Sequence, residues 1–195
     1  MGDPKFSRRK YVRPSSPWEA ERIKLENELL KKYGLKNKKE LWRTQSILRR
    51  FRQRARILQA LIRAGNKQAV KEKDELITRL GKMGLLPLEG ATLDDVLSLD
   101  VEAVLSRRLQ TLTFVKGLSF TPRQARQFII HGHVAVGGRT VKVPGYIVGR
   151  EEEYNVSYAT RSPLSNDLHP VRVAASAAER GLVEEGGEES PAKGE

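Results

Sequence analysis

The chain has 195 residues, of which 38% are apolar and 31% are charged, so a thin core beneath a large polar surface is expected. Its 36 Lys and Arg outnumber 24 Asp and Glu, and the formal net charge of +12 favours a polyanionic partner such as nucleic acid. The absence of cysteine excludes disulfides, cysteine-ligated zinc, iron–sulfur clusters and thiol catalysis. No apolar run approaches the ~20 residues of a membrane span, and no secretory signal opens the chain. We therefore expect a soluble intracellular protein without a membrane partner.

The positive charge is concentrated in the first part of the chain. Residues 1–85 hold 24 Lys and Arg against nine Asp and Glu, whereas residues 151–195 hold four against ten. This asymmetry indicates an interaction surface in the first half. The Gly- and Glu-rich end has almost no large apolar side chains, so residues 175–195 are predicted to form a disordered acidic tail.

Residues 1–15 are predicted to form a basic extended arm, because prolines and basic residues interrupt any helical or strand periodicity. Two interpretations stay open here: a frayed terminus, or an arm that becomes ordered on a phosphate backbone. The candidate nucleic-acid contacts of the arm are Arg8, Arg9, Lys10 and Arg13.

Residues 16–99 are predicted to form a basic helical domain, because helix caps recur along them. The predicted helices run from the capping box Ser16–Glu19 to Gly34, from Asn37 to Gly65, and from Asn66 to Gly81 or Gly84. The second is too long to keep one face buried throughout, and a break is predicted at residues 44–46. Residues 86–98 are predicted to be a connection with a short helical turn after Thr92, and a candidate domain boundary.

An arginine stripe follows the predicted break. At 100° per residue, Ile47, Phe51, Ala55, Leu58 and Ile62 share one apolar face. The arginines of the opposite side, with Arg50 beside the apolar face, are candidate contacts: Arg49, Arg50, Arg52, Arg56 and Arg63. Because no acidic residue lies between Glu40 and Glu72 to offset their mutual repulsion, we favour nucleic-acid contact over a solvated helix face.

Residues 100–160 are predicted to form a small α+β module. Asp100 can cap a helix that carries apolar residues inward from Val101 to Val115 and ends at Gly117. Thr121 begins a second short helix with proline at its first position, ending at Gly132. Strands at residues 134–136 and 140–143 flank two glycines, which predicts a hairpin with a primed turn. A further strand is expected around Val156, before an extended segment over residues 161–174.

The run SRRLQTLTFVKGLSFTPRQARQFIIHGHVAVGGRTVKVPGYIV, residues 106–148, resembles the α-L RNA-binding motif. Its Arg-Leu pair, Gly-Leu, Arg-Gln-Ala-Arg-Gln, His-Gly-His-Val, Val-x-Gly and strand-opening proline follow that motif over about 45 residues. With the helical first half, residues 1 to about 165 are similar to the family of the universal small-subunit ribosomal protein four. The lack of N-terminal zinc cysteines resembles its archaeal and eukaryotic branch. Gly137-Gly138 stands where many relatives have Asn-Gly, and both suit a primed turn.

This resemblance implies a non-enzymatic structural constituent of the small ribosomal subunit in the cytoplasm, which binds rRNA early at a multi-helix junction and nucleates assembly of the subunit body. It also implies neighbouring small-subunit proteins as partners, and a place near the mRNA entrance that affects translational accuracy. By position in the motif, the implied RNA-facing residues are Arg107, Arg108, Arg123, Arg126, Gln127, His131, His133, Arg139 and Lys142.

Other functions are weaker interpretations. His131 and His133 lack the further ligands of a metal site, no small-molecule or cofactor motif is present, and nothing resembles a catalytic constellation. The α-L motif also occurs on pseudouridine synthases, tRNA synthetases and rRNA methyltransferases, but those need a separate catalytic domain. A free ribosome-associated stress or assembly factor is the main alternative, and an uncommitted DNA binder is another.

Overall fold

The computed structural model describes residues 9–166, 168–170 and 172, and these form an α+β fold, as predicted. Arg8 and the predicted tail 175–195 lie outside the described residues. The helices are α1 Ala20–Lys32, α2 Lys38–Arg63, α3 Lys67–Lys82, α4 Leu93–Ser98, α5 Val101–Ser106, α6 Leu109–Val115, α7 Pro122–His131 and α8 Arg150–Glu153. The strands are β1 Val134–Val136, β2 Arg139–Thr140 and β3 Val156–Tyr158, followed by a 3₁₀ turn at Pro163–Ser165.

The limits of α2 and α3 confirm the predicted caps. The side chain of Asn37 accepts a hydrogen bond from the Glu40 amide at 3.2 Å, and that of Asn66 accepts one from the Gln68 amide at 2.9 Å. These bonds satisfy amides of the first turn that have no partner within the helix. Gly65 follows α2 with a φ of +78°, a conformation that glycine adopts without steric cost.

The predicted start of α1 was wrong, because the helix begins at Ala20 and the Ser16–Glu19 capping box does not form. Arg22 accounts for the difference. Its Nη2 donates to the carbonyls of Ser16 at 2.7 Å and Pro17 at 3.2 Å, and its Nε donates to Glu19 at 3.2 Å. These bonds hold the chain before α1 in a turn rather than in a first turn of helix.

The predicted break at residues 44–46 was also wrong, because α2 is continuous over 26 residues. The Thr44 hydroxyl donates to the Leu41 carbonyl and the Ser46 hydroxyl to the Trp42 carbonyl, both at 2.7 Å. Hydroxyl side chains that bond to the preceding turn are tolerated inside a helix. The long helix therefore runs without interruption from Lys38 to Arg63, before the turn at Gly65.

A core of apolar side chains fixes α2 among its neighbours. Ala55 and Leu58 of the predicted apolar face are buried, while Phe51 and Ile62 are partly buried beside them. Further members of this core come from the C-terminal end of α3, from α4 and from α5: Leu80, Val96 and Val104. The helix α4 begins with a complete capping box between Thr92 and Asp95, which confirms the predicted turn after Thr92.

The single helix predicted from Val101 to Val115 was wrong, because the chain forms two helices, α5 and α6, broken at Arg107 and Arg108. Here the backbone pairs with a distant segment. The Leu109 amide donates to the Tyr146 carbonyl at 2.8 Å, and the Val148 amide donates to the Arg107 carbonyl at 3.0 Å. Val115, predicted to point inward, is 71% exposed.

The predicted hairpin is confirmed. Gly137 and Gly138 both have positive φ, +56° and +78°, as a primed turn requires. The second strand covers only Arg139–Thr140 rather than residues 140–143. The strand expected around Val156 is also confirmed, as β3 pairs with β1 to give the antiparallel order β2-β1-β3, with Val136 opposite Val156. The helix α8 was not predicted.

Buried side chains connect the two predicted parts. Under the sheet, a second core joins α6 and α7 through Leu109, Leu112, Ile129, Val134, Val148 and Val156. A third cluster unites the turn after α1, the start of α2 and the end of α5: Tyr33, Leu35, Leu41 and Leu105. The first core includes Leu99 and Val104 and the third includes Leu105, so both extend past residue 99, where the domain limit stays a prediction.

Candidate nucleic-acid interface

The basic arm lies against α2. The Val12 amide donates to the Ser46 hydroxyl at 3.2 Å, the Tyr11 ring centroid is 6.0 Å from that of Trp42, and the Arg9 guanidinium lies 5.6 Å over the Tyr11 ring. A cleft of about 730 Å³ separates the arm from the helix, and we call it the arm groove. Its described lining includes one carboxylate, Glu26, and five arginines: Arg13, Arg22, Arg49, Arg52 and Arg56.

The carboxylate of the arm groove is already neutralised. Glu26 is 3% exposed, and it accepts hydrogen bonds from Arg22 Nη1 at 2.9 Å and Trp42 Nε1 at 3.0 Å, with Lys38 Nζ at 3.2 Å. Burial alone would raise the pKa of Glu26, but the bonds from Trp42, Lys38 and Arg22 outweigh it and hold the pKa below its usual value. Glu26 is therefore a fixed anion that orders the wall of the groove.

Three arginines of the arm groove keep their charge available. Arg13, Arg49 and Arg56 are exposed and have no carboxylate partner within the described part of the chain. Arg52 differs, because its Nη2 donates to the Leu99 carbonyl and lies 3.9 Å from Asp100. The contacts predicted separately for the arm and for the arginine stripe thus meet in one groove, where Arg52 is tied to the junction of α4 and α5. Arg50 and Arg63 are exposed elsewhere on α2.

A second exposed polar surface, the α7 face, combines α7 with the hairpin. Thr121 caps the helix by accepting a hydrogen bond from the Gln124 amide at 3.2 Å. The exposed polar side chains of the α7 face are Arg123, Gln127, His131, Arg139 and Lys142. The Lys142 side chain lies over Gly132, since a Cβ built there would be 3.3 Å from Lys142 Cε, and this contact joins the hairpin to the end of α7.

His131 and His133 stack with ring centroids 6.3 Å apart. His133 is half-buried, and its Nδ1 lies 2.8 Å from the Ser162 hydroxyl. No group of three metal-ligating side chains occurs among the described residues. The histidine pair therefore borders the α7 face, with His131 the more accessible member.

Three of the residues implied to face RNA form ion pairs with other elements of the protein. Arg108 is 5% exposed, and its Nη2 donates to Glu40 at 2.8 Å. Arg126 Nη2 donates to the other oxygen of Glu40 at 2.6 Å, and Arg107 pairs with Glu153 at 2.8 Å. These arginines connect elements of the fold, and their contact with RNA stays a prediction.

Two residues that the sequence did not single out join the helical half to the α-L module. Glu40 binds Arg108 and Arg126, and these bonds hold its pKa below the usual value although burial would raise it. The buried Gln110 amide donates to the carbonyls of Tyr33 at 3.1 Å, Gly34 at 2.9 Å and Pro122 at 2.8 Å. At 100° per residue, Gln110 falls on the side opposite the apolar face predicted for residues 101–115, so no local signal marked it as buried.

Comparison with known proteins identifies the class. The model of the S4 domain matches residues 107–153, which include α6, α7, the hairpin and α8, so this chain is an S4-domain protein. The small ribosomal subunit protein uS4 of Thermoplasma acidophilum is 49% identical over 197 residues, covering 100% of this chain and 98% of the relative. Those of Picrophilus torridus and Methanococcus aeolicus are 50% and 51% identical, covering 90% and 88% of this chain and 96% of each relative. The chain belongs to the uS4 family of small ribosomal subunit proteins, in agreement with the resemblance seen in the sequence.

Every helix in the described part of the chain is too short or too polar to span a membrane.

Proposed function

We propose that this chain is a structural constituent of the small ribosomal subunit in the cytoplasm, where it binds small-subunit rRNA directly and contacts neighbouring ribosomal proteins. The observation that carries the proposal is the arm groove. It places five arginines around one buried carboxylate that is already neutralised, in a chain that belongs to the uS4 family. Such a surplus of cations favours binding of a phosphate backbone.

The arginines suit recognition of RNA by shape. The major groove of A-form RNA is too narrow for side chains to read, so proteins contact phosphates, 2′-hydroxyls and unstacked bases instead. A guanidinium makes two parallel hydrogen bonds to a phosphate and stacks on bases, whereas a lysine acts as a point charge. In the arm groove the contacts are Arg13, Arg49 and Arg56. The exposed Arg9 and Lys10 are further contacts of the arm.

The α7 face is the second RNA surface of the proposal, with Arg123, Gln127, His131, Arg139 and Lys142 as its contacts. Glu40 and Gln110 connect the elements that carry the two surfaces. A chain that binds two RNA helices in this way docks on a multi-helix junction and fixes the angle between those RNA helices. Such docking supports nucleation of the subunit body and a role near the mRNA entrance, where contact with mRNA affects accuracy.

The test is binding to a small-subunit rRNA fragment that contains the junction, at high monovalent salt and against excess unrelated RNA. We expect wild-type binding to resist the competitor, with protected nucleotides clustered on the junction. The double variant Arg49→Ala/Arg56→Ala removes two groove cations, and should make the slope of log affinity against log salt less steep by about 1.5. The control, Lys71→Ala/Arg79→Ala, removes the same charge from exposed positions of α3 and should leave the slope nearly unchanged.

Equal affinity for every RNA, lost as the salt concentration rises, would contradict a primary rRNA binder and favour the free ribosome-associated factor. Equal effects of the two double variants would show that net charge, rather than the arm groove, supplies the binding. Binding to DNA of the same length and sequence as strong as binding to RNA would contradict recognition through the 2′-hydroxyls.

A further inference from the structure

A small cavity lies where the start of α2 meets α6, α7 and the loop after the hairpin. Its volume is about 320 Å³, and we call it the seam pocket. Its charged lining consists of one carboxylate, Glu40, and the guanidinium groups of Arg43, Arg108 and Arg126. The described lining therefore carries a formal charge of +2.

The protein neutralises only part of this charge. Both oxygens of Glu40 are engaged, one by Arg108 at 2.8 Å and the other by Arg126 at 2.6 Å. Arg43 is exposed, and no carboxylate of the described chain lies within ion-pair distance of it. Burial lowers the pKa of Arg108, and the charges of Arg126 and Arg43 lower it further, while Glu40 opposes them. The pocket is thus built around cations that repel one another, and an anion would relieve that repulsion.

The shape and surroundings of the seam pocket indicate which anion fits. Its remaining wall is largely apolar, from Ile47, Val143 and Pro144, and such a surface suits the edge of a ribose. Arg43, Ile47 and Arg50 follow one another at helical spacings of four and three, so they share one side of α2. Arg50 is exposed, about 10 Å further along the helix axis. A chain of phosphates matches two guanidinium groups spaced along a helix better than a single small anion does.

We propose that the seam pocket binds a phosphate of an RNA backbone through Arg43, with Arg108 and Arg126 oriented beside it by Glu40, and that the same strand continues to Arg50. This site lies on the flank of α2 away from the stripe Arg49, Arg52 and Arg56. It rests on the proposed function, because it names a further contact of the same RNA partner. It also gives the ion pairs between Glu40 of α2 and the arginines of the S4 domain a second role, since they shape a binding pocket as well as connect the two parts of the fold.

The experiment compares Arg43→Ala with Arg79→Ala, which removes an exposed arginine of α3 that lines neither the arm groove nor the seam pocket. Binding of the full chain to the junction fragment and to an unrelated RNA is measured over a series of salt concentrations. Loss of one phosphate contact should make the salt slope of Arg43→Ala less steep by about 0.7 to 0.9 and weaken binding about tenfold. Arg79→Ala should change neither by a comparable amount. Arg43→Lys keeps the charge without the planar fork, so its slope should stay near the wild-type value while its affinity falls.

Phosphate ethylation interference identifies the contact directly. Ethylation of one particular phosphate of the fragment should weaken wild-type binding but no longer affect Arg43→Ala, while the other interfering positions persist. The proposal would be overturned if Arg43→Ala showed the same salt slope and the same interference pattern as Arg79→Ala. It would also be overturned if the variant bound RNA normally but no longer associated with a neighbouring ribosomal protein, because the pocket would then receive a protein carboxylate. Failure of the wild-type chain to prefer the fragment would overturn the proposed function instead. In that case the salt slopes of Arg43→Ala and Arg79→Ala on the unrelated RNA would still test whether Arg43 contacts a phosphate.

Discussion

Glu40→Gln removes a negative charge that two interior arginines share while keeping the size of the side chain. The side chains of Arg108, Glu40 and Arg126 are 6%, 15% and 19% exposed, so water would compensate the stranded cations poorly. Removing one partner of a buried ion pair costs about 3 to 5 kcal/mol. Since Arg126 keeps some exposure and the amide can still accept a hydrogen bond, we expect a loss of about 3 kcal/mol in the free energy of unfolding. For a chain of 195 residues this lowers Tm by about 6 to 12 °C.

Urea unfolding followed by circular dichroism and tryptophan fluorescence measures this loss. The matched control is Glu72→Gln, which breaks the pair between Glu72 and Arg54, 3.0 Å apart. Those side chains are 32% and 59% exposed, so the control should cost less than about 1 kcal/mol. Equal m-values for the two variants would show that a change of midpoint reports stability rather than a change in the surface exposed on unfolding.

The pH dependence supplies an independent check. Burial would raise the pKa of Glu40, but Arg126 and Arg108 hold it below the usual carboxyl value in the folded chain. The unfolded chain therefore binds more protons on acidification, and the contribution of Glu40 is present above the ordinary carboxyl pKa and lost as the pH falls through the lowered one. The stability difference between wild type and Glu40→Gln should accordingly shrink in acid. A loss no larger than that of Glu72→Gln, or a difference that grows in acid, would refute the reasoning.

Two further variants test how the helical half is joined to the S4 domain. Gly34→Ala places a Cβ 2.8 Å from Pro122 Cβ at a φ of +58°, and should cost more than about 2 kcal/mol. Gly90→Ala has a φ of +74° but nothing within 4 Å, so urea midpoints should show only the conformational cost of about 1 kcal/mol. Gln110→Leu leaves the carbonyls of Tyr33, Gly34 and Pro122 without their donor and should cost about 2 kcal/mol or more. The exposed Gln127→Leu should stay within about 0.5 kcal/mol in the same assay, and equal losses would contradict the role of Gln110.

Helix limits could be predicted where a short local signal decides them. Asn37, Asn66 and Thr121 each cap a helix with their own side chain, and Gly137-Gly138 alone determines the hairpin turn. The predictions failed where a distant partner decides. The helix predicted through Arg107 and Arg108 breaks because their backbone pairs with residues near Ile147, about 40 positions later. Nothing in the periodicity of residues 101–115 reveals that pairing.

The same limit applies to the candidate interface. Spacing along a helix predicted correctly that Ala55 and Leu58 are buried and that Arg49 and Arg56 are exposed. It could not separate arginines with an interior partner from free ones, because Arg108 and Arg126 meet Glu40 across 68 and 86 positions of sequence. Arg43 was not predicted as a contact for a related reason, since the residues around it come from elements that are remote in the chain. The sequence shows which side chains carry a charge, but which of those charges are paired within the protein depends on the tertiary structure.

The attachment of the arm to α2 has a kinetic consequence. Val12 and Tyr11 contact Ser46 and Trp42, so bonds within the chain hold the described part of the arm against α2. Its loss of conformational freedom then belongs to folding, and the encounter with RNA need not wait for the arm to find its place. Association of a preformed cationic groove with a polyanion is governed by electrostatic steering, which accelerates encounter and weakens steeply as ions screen the field. For RNA that binds in this groove, salt should therefore lower the association rate constant as well as raise the dissociation rate constant.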